Sequence, residues 1–190
     1  MPTPTLRVIA GPNGAGKSTF QQLILAPSTL EFVNADLIAA REWPGEEAKH
    51  AYEAAALAAA RRDELLAART SFVTETVFSH ESKLELVSTA SHLGYVVSLY
   101  VIIIPEDQAV ARVAVRAELG GHDVPEGKVR SRHQRLWSHV VEAINIADNV
   151  RVYDNSHAET PFVSVATFHA GMPVGRPEWP PWAPIELVRL

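Results

Sequence analysis

Cysteine is absent from the 190 residues, which removes disulfides and thiolate metal sites from consideration. A surplus of positive charge is missing too. The formal net charge of −5 argues against a broad surface for nucleic acid or anionic membrane. Long apolar runs are lacking: the longest, Tyr95 to Ile104, contains Ser98 and gives way to Pro105-Glu106-Asp107, which suits a buried strand followed by a helix start. The opening Met1-Pro2-Thr3-Pro4 has no basic-then-apolar export pattern, so the expected location is the cytoplasm. No internal repeat is present. With 47% hydrophobic residues, the length suits one compact domain and is short for two.

What is present begins with Leu6-Arg7-Val8-Ile9-Ala10, an apolar strand that runs directly into Gly11-Pro12-Asn13-Gly14-Ala15-Gly16-Lys17-Ser18-Thr19. The spacing of Gly11, Gly16, Lys17 and Ser18 is the P-loop pattern. Its glycines let backbone N–H groups turn inward on phosphate, Lys17 reaches the β/γ-phosphates, and the Ser18 hydroxyl ligates Mg²⁺. A helix starting near Gly16 adds its positive end.

Beyond the loop, strands and helices alternate. A first helix continues through Phe20–Leu25 and stops at Pro27-Ser28; strands are expected at 31–34, 71–75, 95–103, 150–153 and 162–168, with helices at 46–69, 81–93, 106–119 and 125–146. In the alanine-rich 46–69 helix, Tyr52, Ala55, Ala59 and Leu66 fall roughly on one face. The pattern predicts an α/β fold with a doubly wound parallel sheet, whose strand ends at the P-loop, Asp36, Glu75 and Asp154-Asn155 converge on one rim. Residues 1–170 form the expected P-loop domain, and 171–190, with five prolines and two tryptophans in Met172–Pro184, an irregular tail whose tryptophans dock on the surface.

The loop also resembles that of ATP-binding-cassette ATPases, but the chain has no Leu-Ser-Gly-Gly-type segment and no apolar strand ending in Asp-Glu. Asp107 reads as part of an acidic first turn after Pro105. Residues 112–135 instead carry six basic groups, Arg112, Arg116, Lys128, Arg130, Arg132 and Arg135, against three acidic ones. Two helices bearing arginines around a glycine-containing loop, Gly120-Gly121-His122-Asp123-Val124-Pro125, suit a lid that places charge on a transferring phosphoryl group. Arg116 and Arg130 are the expected phosphate contacts, with Arg112 and Arg132 next; His122 and His133 read as polar surface or lid residues.

Taken together with Phe32-Val33-Asn34-Ala35-Asp36, Phe72-Val73-Thr74-Glu75-Thr76 and Tyr153-Asp154-Asn155-Ser156, these segments resemble the zeta-toxin family of P-loop kinases over about residues 5–168. The resemblance implies an adenylate-kinase-like core, ATP with Mg²⁺, and transfer of the γ-phosphoryl group to a hydroxyl. In the best-known members the hydroxyl belongs to UDP-N-acetylglucosamine, in related phosphotransferases to chloramphenicol, and in related systems an inhibitory antitoxin covers the ATP site. It also implies roles: Lys17 and Ser18 at phosphate and magnesium, Asp36 as general base, Glu75 at the acceptor or the magnesium water shell, and Asn155 near the adenine. A structural alternative for Asp36 is a cap on Leu37–Arg41. The acceptor pocket would draw on Asp36, Glu75, Arg41, Trp43, His50 and Tyr52. A nucleic-acid end kinase and a nucleotide-gated binding module are the competing classes; the acidic total disfavours the first, and a carboxylate at Asp36 the second.

Overall fold

The computed structural model describes residues 2–25, 29–119, 121 and 124–190. The expected helix stop at Pro27-Ser28, and Gly120, His122 and Asp123 of the lid loop, lie outside the described residues.

The chain runs β1 (Thr5–Ala10), α1 (Lys17–Phe20), β2 (Glu31–Val33), α2 (Ala35–Glu42), α3 (Ala51–Ala67), β3 (Phe72–Thr76), α4 (Glu81–His92), β4 (Val96–Ile103), α5 (Glu106–Glu118), α6 (Glu126–Ile146), β5 (Asn149–Asp154), β6 (Val163–His169), β7 (Met172–Pro173) and α7 (Ile185–Val188). After α1 the chain widens into a π-helical turn over Gln21–Leu25.

One seven-stranded sheet has the order β2-β3-β1-β4-β5-β6-β7. Its first five strands are parallel. The strands pair with both faces covered, and the pleat sorts their side chains. Leu6, Val8, Val97, Leu99, Val101 and Ile103 join a core completed by Ala58 and Leu65 of α3, Val87 of α4 and Leu136, Val140 and Ile144 of α6. Ile9 and Ile102 face the opposite way, into a second core with Phe20, Ala109 and Val113 of α1 and α5.

Two expectations need correction. β6 and β7 are antiparallel to their neighbours, so the sheet is mixed at one edge; the short link between Asp154 and Val163 permits a hairpin and leaves no room for a crossover helix. The helix expected over 46–69 is α3 alone, preceded by the separate α2. Between them lies a turn at Trp43-Pro44-Gly45, where Gly45 takes φ 85°. The buried face of α3 is Ala54, Ala58, Arg62, Leu65 and Leu66, while Tyr52 is 77% exposed. In the tail, Trp179 and Trp182 pack partly buried against the main core and Leu187 is fully buried. Among the described residues no helix is long and apolar enough to cross a membrane.

Candidate active site

β1 stands between β3 and β4, where connections leave in opposite directions, and its carboxyl end opens the crevice expected of such a sheet. The turn from Gly11 to Gly16 fills it. Gly11, at φ 154°, lies so close to β4 that a Cβ there would sit 2.5 Å from the Ile102 carbonyl oxygen; Gly16, at φ 85°, would drive one to 2.7 Å from Asn155 Nδ2. Neither position accepts a larger residue without moving backbone or Asn155.

Lys17 opens α1 and is buried, its Nζ donating to the Pro12 carbonyl at 3.0 Å and lying 3.9 Å from Glu75 Oε1. Burial pulls its pKa below the ordinary lysine value; the carboxylates of Glu75 and Asp36 act against this, and Arg116 and Arg132 act with it. Those same four side chains line a cavity of about 240 Å³ with Lys17, Ser18, Asn13, Gly14 and Asn34.

Glu75, at the end of β3, joins the parts. The Ser18 hydroxyl donates to its Oε2 at 2.9 Å, and Asn34 Nδ2 donates to the same oxygen at 3.0 Å. Asn34 also caps α2, its Oδ1 accepting from Asp36 N at 2.7 Å and Leu37 N at 3.3 Å. The cap is therefore Asn34, and Asp36 occupies the first turn with its side chain facing the cavity rim. Ser18 and Glu75 together offer the hard oxygen donors that Mg²⁺ takes alongside nucleotide phosphates. Among the described residues no three His, Cys, Asp or Glu side chains converge on a metal without such phosphates.

The sequence family described as an AAA domain, AAA_33, matches residues 6–137. The chain belongs to that family. None of the proteins of curated function matches this AAA-domain chain in sequence. Solved structures do. The AvrRxo1-ORF1:-ORF2 complex matches with a TM-score of 0.71 at 20% identity, over 90% of this chain and 60% of that one. A protein of the PezAT chromosomal toxin-antitoxin system of Streptococcus pneumoniae matches with 0.59 at 12% identity, over 88% and 72%. A gluconokinase from Sinorhizobium meliloti gives 0.50 at 18%, over 81% and 84%. At these identities the likeness is one of fold, that of P-loop kinases, and the AAA-domain chain spans 60% of the length of the chain it matches in the AvrRxo1-ORF1:-ORF2 complex. The AvrRxo1-ORF1:AvrRxo1-ORF2 complex has also been solved with ATP.

Within the AAA-domain fold the remaining expected site residues scatter. Arg116 and Arg132 reach the cavity. Arg112 does not reach its lining; its guanidinium donates to the carbonyls of Asn155 at 2.9 Å and Gly14 at 3.5 Å, and so straps the P-loop to the β5 end. Asn155 serves the same strap, donating from Nδ2 to Ala15 O at 2.8 Å, where the resemblance had implied a place near adenine. Arg130 is held by Glu106, Asp107 and Glu126, each at 2.8 Å, and lies outside the cavity lining. Those three hydrogen-bonded carboxylates raise its pKa above the ordinary arginine value, Glu106 most. His133 is buried rather than superficial, its Nε2 3.0 Å from the Ile104 carbonyl.

A second, larger cavity of about 540 Å³ adjoins the first through Ala35, Asp36 and Ala51, and is walled by Ala39, Ala48 and Ala54 with Glu46 and Lys49. Arg41 is turned away on Glu42, Tyr52 is exposed beneath Lys128, and Trp43 stacks on His50 at 4.6 Å, so none of these four lines it. Among the cavity residues that escaped the sequence reading are Asn34, Arg62 and Lys83. Asn34 was legible as an Asn-Ala-Asp start to α2. Arg62 showed only as one arginine on the buried spacing of an alanine-rich helix.

Proposed function

We propose that this protein transfers the γ-phosphoryl group of ATP to a hydroxyl of a small acceptor, with the triphosphate over Lys17 and Ser18 and the acceptor on the Asp36 side. The supporting observation is the convergence of Lys17, Ser18, Asp36, Glu75, Arg116 and Arg132 on one cavity. Mg²⁺, held through Ser18 and Glu75 with the phosphates, would supply charge neutralisation at the transferring group.

The residues divide the work as follows. The loop from Gly11 to Thr19 holds the β- and γ-phosphates with its backbone N–H groups. Lys17, Arg116 and Arg132 place positive charge where the phosphoryl oxygens gain negative charge. Asp36 accepts the acceptor's hydroxyl proton as the new O–P bond forms and the Pγ–O bond to ADP breaks, the electron pair leaving with ADP. A loose transition state asks for good placement of this carboxylate more than for strong basicity. Arg112 and Asn155 keep the loop in register. Arg130 fastens the starts of α5 and α6 together.

In its narrower form the reading is zeta-toxin-like: a UDP-N-acetyl sugar as acceptor, an inhibitory antitoxin over the nucleotide site, and a cytoplasmic place where ATP is plentiful. The fold likeness to the PezAT protein supports this form.

The test is ATP turnover in a mixture of small hydroxylated metabolites, with products identified by mass spectrometry. A new phosphomonoester is expected. Labelling of an oligonucleotide 5′-hydroxyl, with no small product, would shift the assignment to nucleic-acid ends, and tight ATP binding with no product of either kind would leave a binding module.

A further inference from the structure

Arg62 and Lys83 are the cations that the phosphate-transfer reading does not use. Arg62 projects from the buried face of α3 and is only 6% exposed; Lys83 stands half-buried in the first turn of α4. Both line the cavity that holds Lys17, Ser18 and Asp36. Among the described residues neither side chain makes a hydrogen bond or an ion pair; the nearest help is the charge of Asp63, the next residue on α3.

This is an expensive arrangement. A buried guanidinium normally has carboxylate or carbonyl acceptors along its N–H edges, because its desolvation is otherwise uncompensated. Here burial lowers the pKa of both groups, and the Arg62 charge lowers that of Lys83 further. Lys83 also sits at the positive end of its helix, where a cation is disfavoured. Among the described residues these two repelling cations, from two helices and opening on one cavity, lack a common counter-ion.

Resting on the kinase reading above, we infer that Arg62 and Lys83 form the anchoring subsite of the acceptor, and that the acceptor is a hydroxylated oxyanion, a phosphate ester or a carboxylate, rather than a neutral alcohol. The planar guanidinium fork takes two oxygens of one anionic group and the ammonium a third contact. The acceptor's anionic group then lies toward α3 and α4, and its reacting hydroxyl toward Asp36. The nucleotide's phosphates keep Lys17, Arg116 and Arg132.

The experiment uses the whole protein saturated with MgADP, so that the P-loop is filled, and three probes of one skeleton: glycerol 3-phosphate, glycerate and glycerol. Lys83 acetylation is followed by mass spectrometry alongside thermal unfolding. One or both anions are expected to slow Lys83 labelling on the order of tenfold, as a charge-assisted contact would, and to raise Tm, while glycerol does neither. The stronger of the two tells a phosphate from a carboxylate acceptor. Arg62→Met should abolish the protection, leave ADP affinity unchanged, and raise the Tm of the probe-free protein by removing an uncompensated charge; that rise also reports that the variant folds. Equal protection by glycerol, no protection by either anion, or protection that survives in Arg62→Met would overturn the subsite. None of these readings requires turnover, so a failure of phosphoryl transfer shows separately, as the absence of product with intact anion protection.

Discussion

Two groups of basic side chains sit on neighbouring parts of this molecule and behave oppositely. Where α5 and α6 begin, Arg130 is met by three carboxylates. Around the P-loop, Lys17, Arg62, Lys83 and Arg132 share one cavity whose lining, among the described residues, holds two carboxylates, Asp36 and Glu75. Both groups look alike along the sequence. The difference is that the first is neutralised by the fold and acts as a fastener, whereas the second keeps a positive excess that a bound polyanion would neutralise. Charge marks a ligand site where the fold leaves it unbalanced, and a high count of arginines marks nothing by itself.

The sharpest way to break this contrast is at its few acids. Asp36→Asn should lower transfer roughly 10²–10⁴-fold, the range of a lost general base, with ATP affinity nearly unchanged by titration. Full transfer by the variant would remove the assigned proton acceptor. Lys17→Ala should lose both transfer and binding. Next comes the paired comparison of arginines. Arg132→Ala should reduce kcat on the order of 10²-fold, as removal of one charge-stabilising donor does, while Arg130→Ala should stay within roughly fivefold of wild type, as loss of an exposed ion pair would. Equal losses would erase the distinction between fastener and ligand group.

A smaller effect lies in the pH dependence of Lys17. Its folded pKa is held below 10.5 mainly by burial, so between that lowered value and 10.5 the ligand-free folded chain binds fewer protons than the unfolded one. As pH rises through this window, urea unfolding should show a gain in stability from this group, and ATP titration a loss of affinity as the ammonium discharges. Movement of both in the same direction would contradict a buried, phosphate-facing lysine. The smallest effect belongs to the surface pair of Arg61 and Glu31, which meet at 2.8 Å. Hydrogen bonding to Arg61 holds the Glu31 pKa below its usual value, so its contribution is present above the unfolded pKa and fades as pH falls through the folded one. Arg61→Ala should flatten that acid-side slope and leave catalysis alone.

How legible all this was depended on how local the determining physics is. Gly11 to Thr19 could be read directly, since strand, turn and helix start are contiguous and each residue type has one steric or chemical reason to be there. Asp36 and Glu75 were legible at one remove, because parallel strands bring their carboxyl ends to one rim. The hairpin at β5 and β6 was within reach too, since eight residues between Asp154 and Val163 cannot carry a crossover. The break between α2 and α3 was legible in Pro44-Gly45; the helix expected after it begins at Ala51 rather than at residue 46. Arg130 could not be separated from Arg132 by sequence, because the separation rests on Glu106 and Asp107 reaching across from another helix. Arg62 and Lys83, from α3 and α4, meet only in three dimensions.

The sheet is finished at its two margins by very short strands, three residues in β2 and two in β7, the latter under a segment that carries Trp179 and Trp182 onto the core. Such stubs offer few free N–H and C=O groups for another chain to zip onto. A protein partner would therefore find its hold on helices and loops rather than along a strand edge, and edge-to-edge fibre growth from the folded state has little to start from.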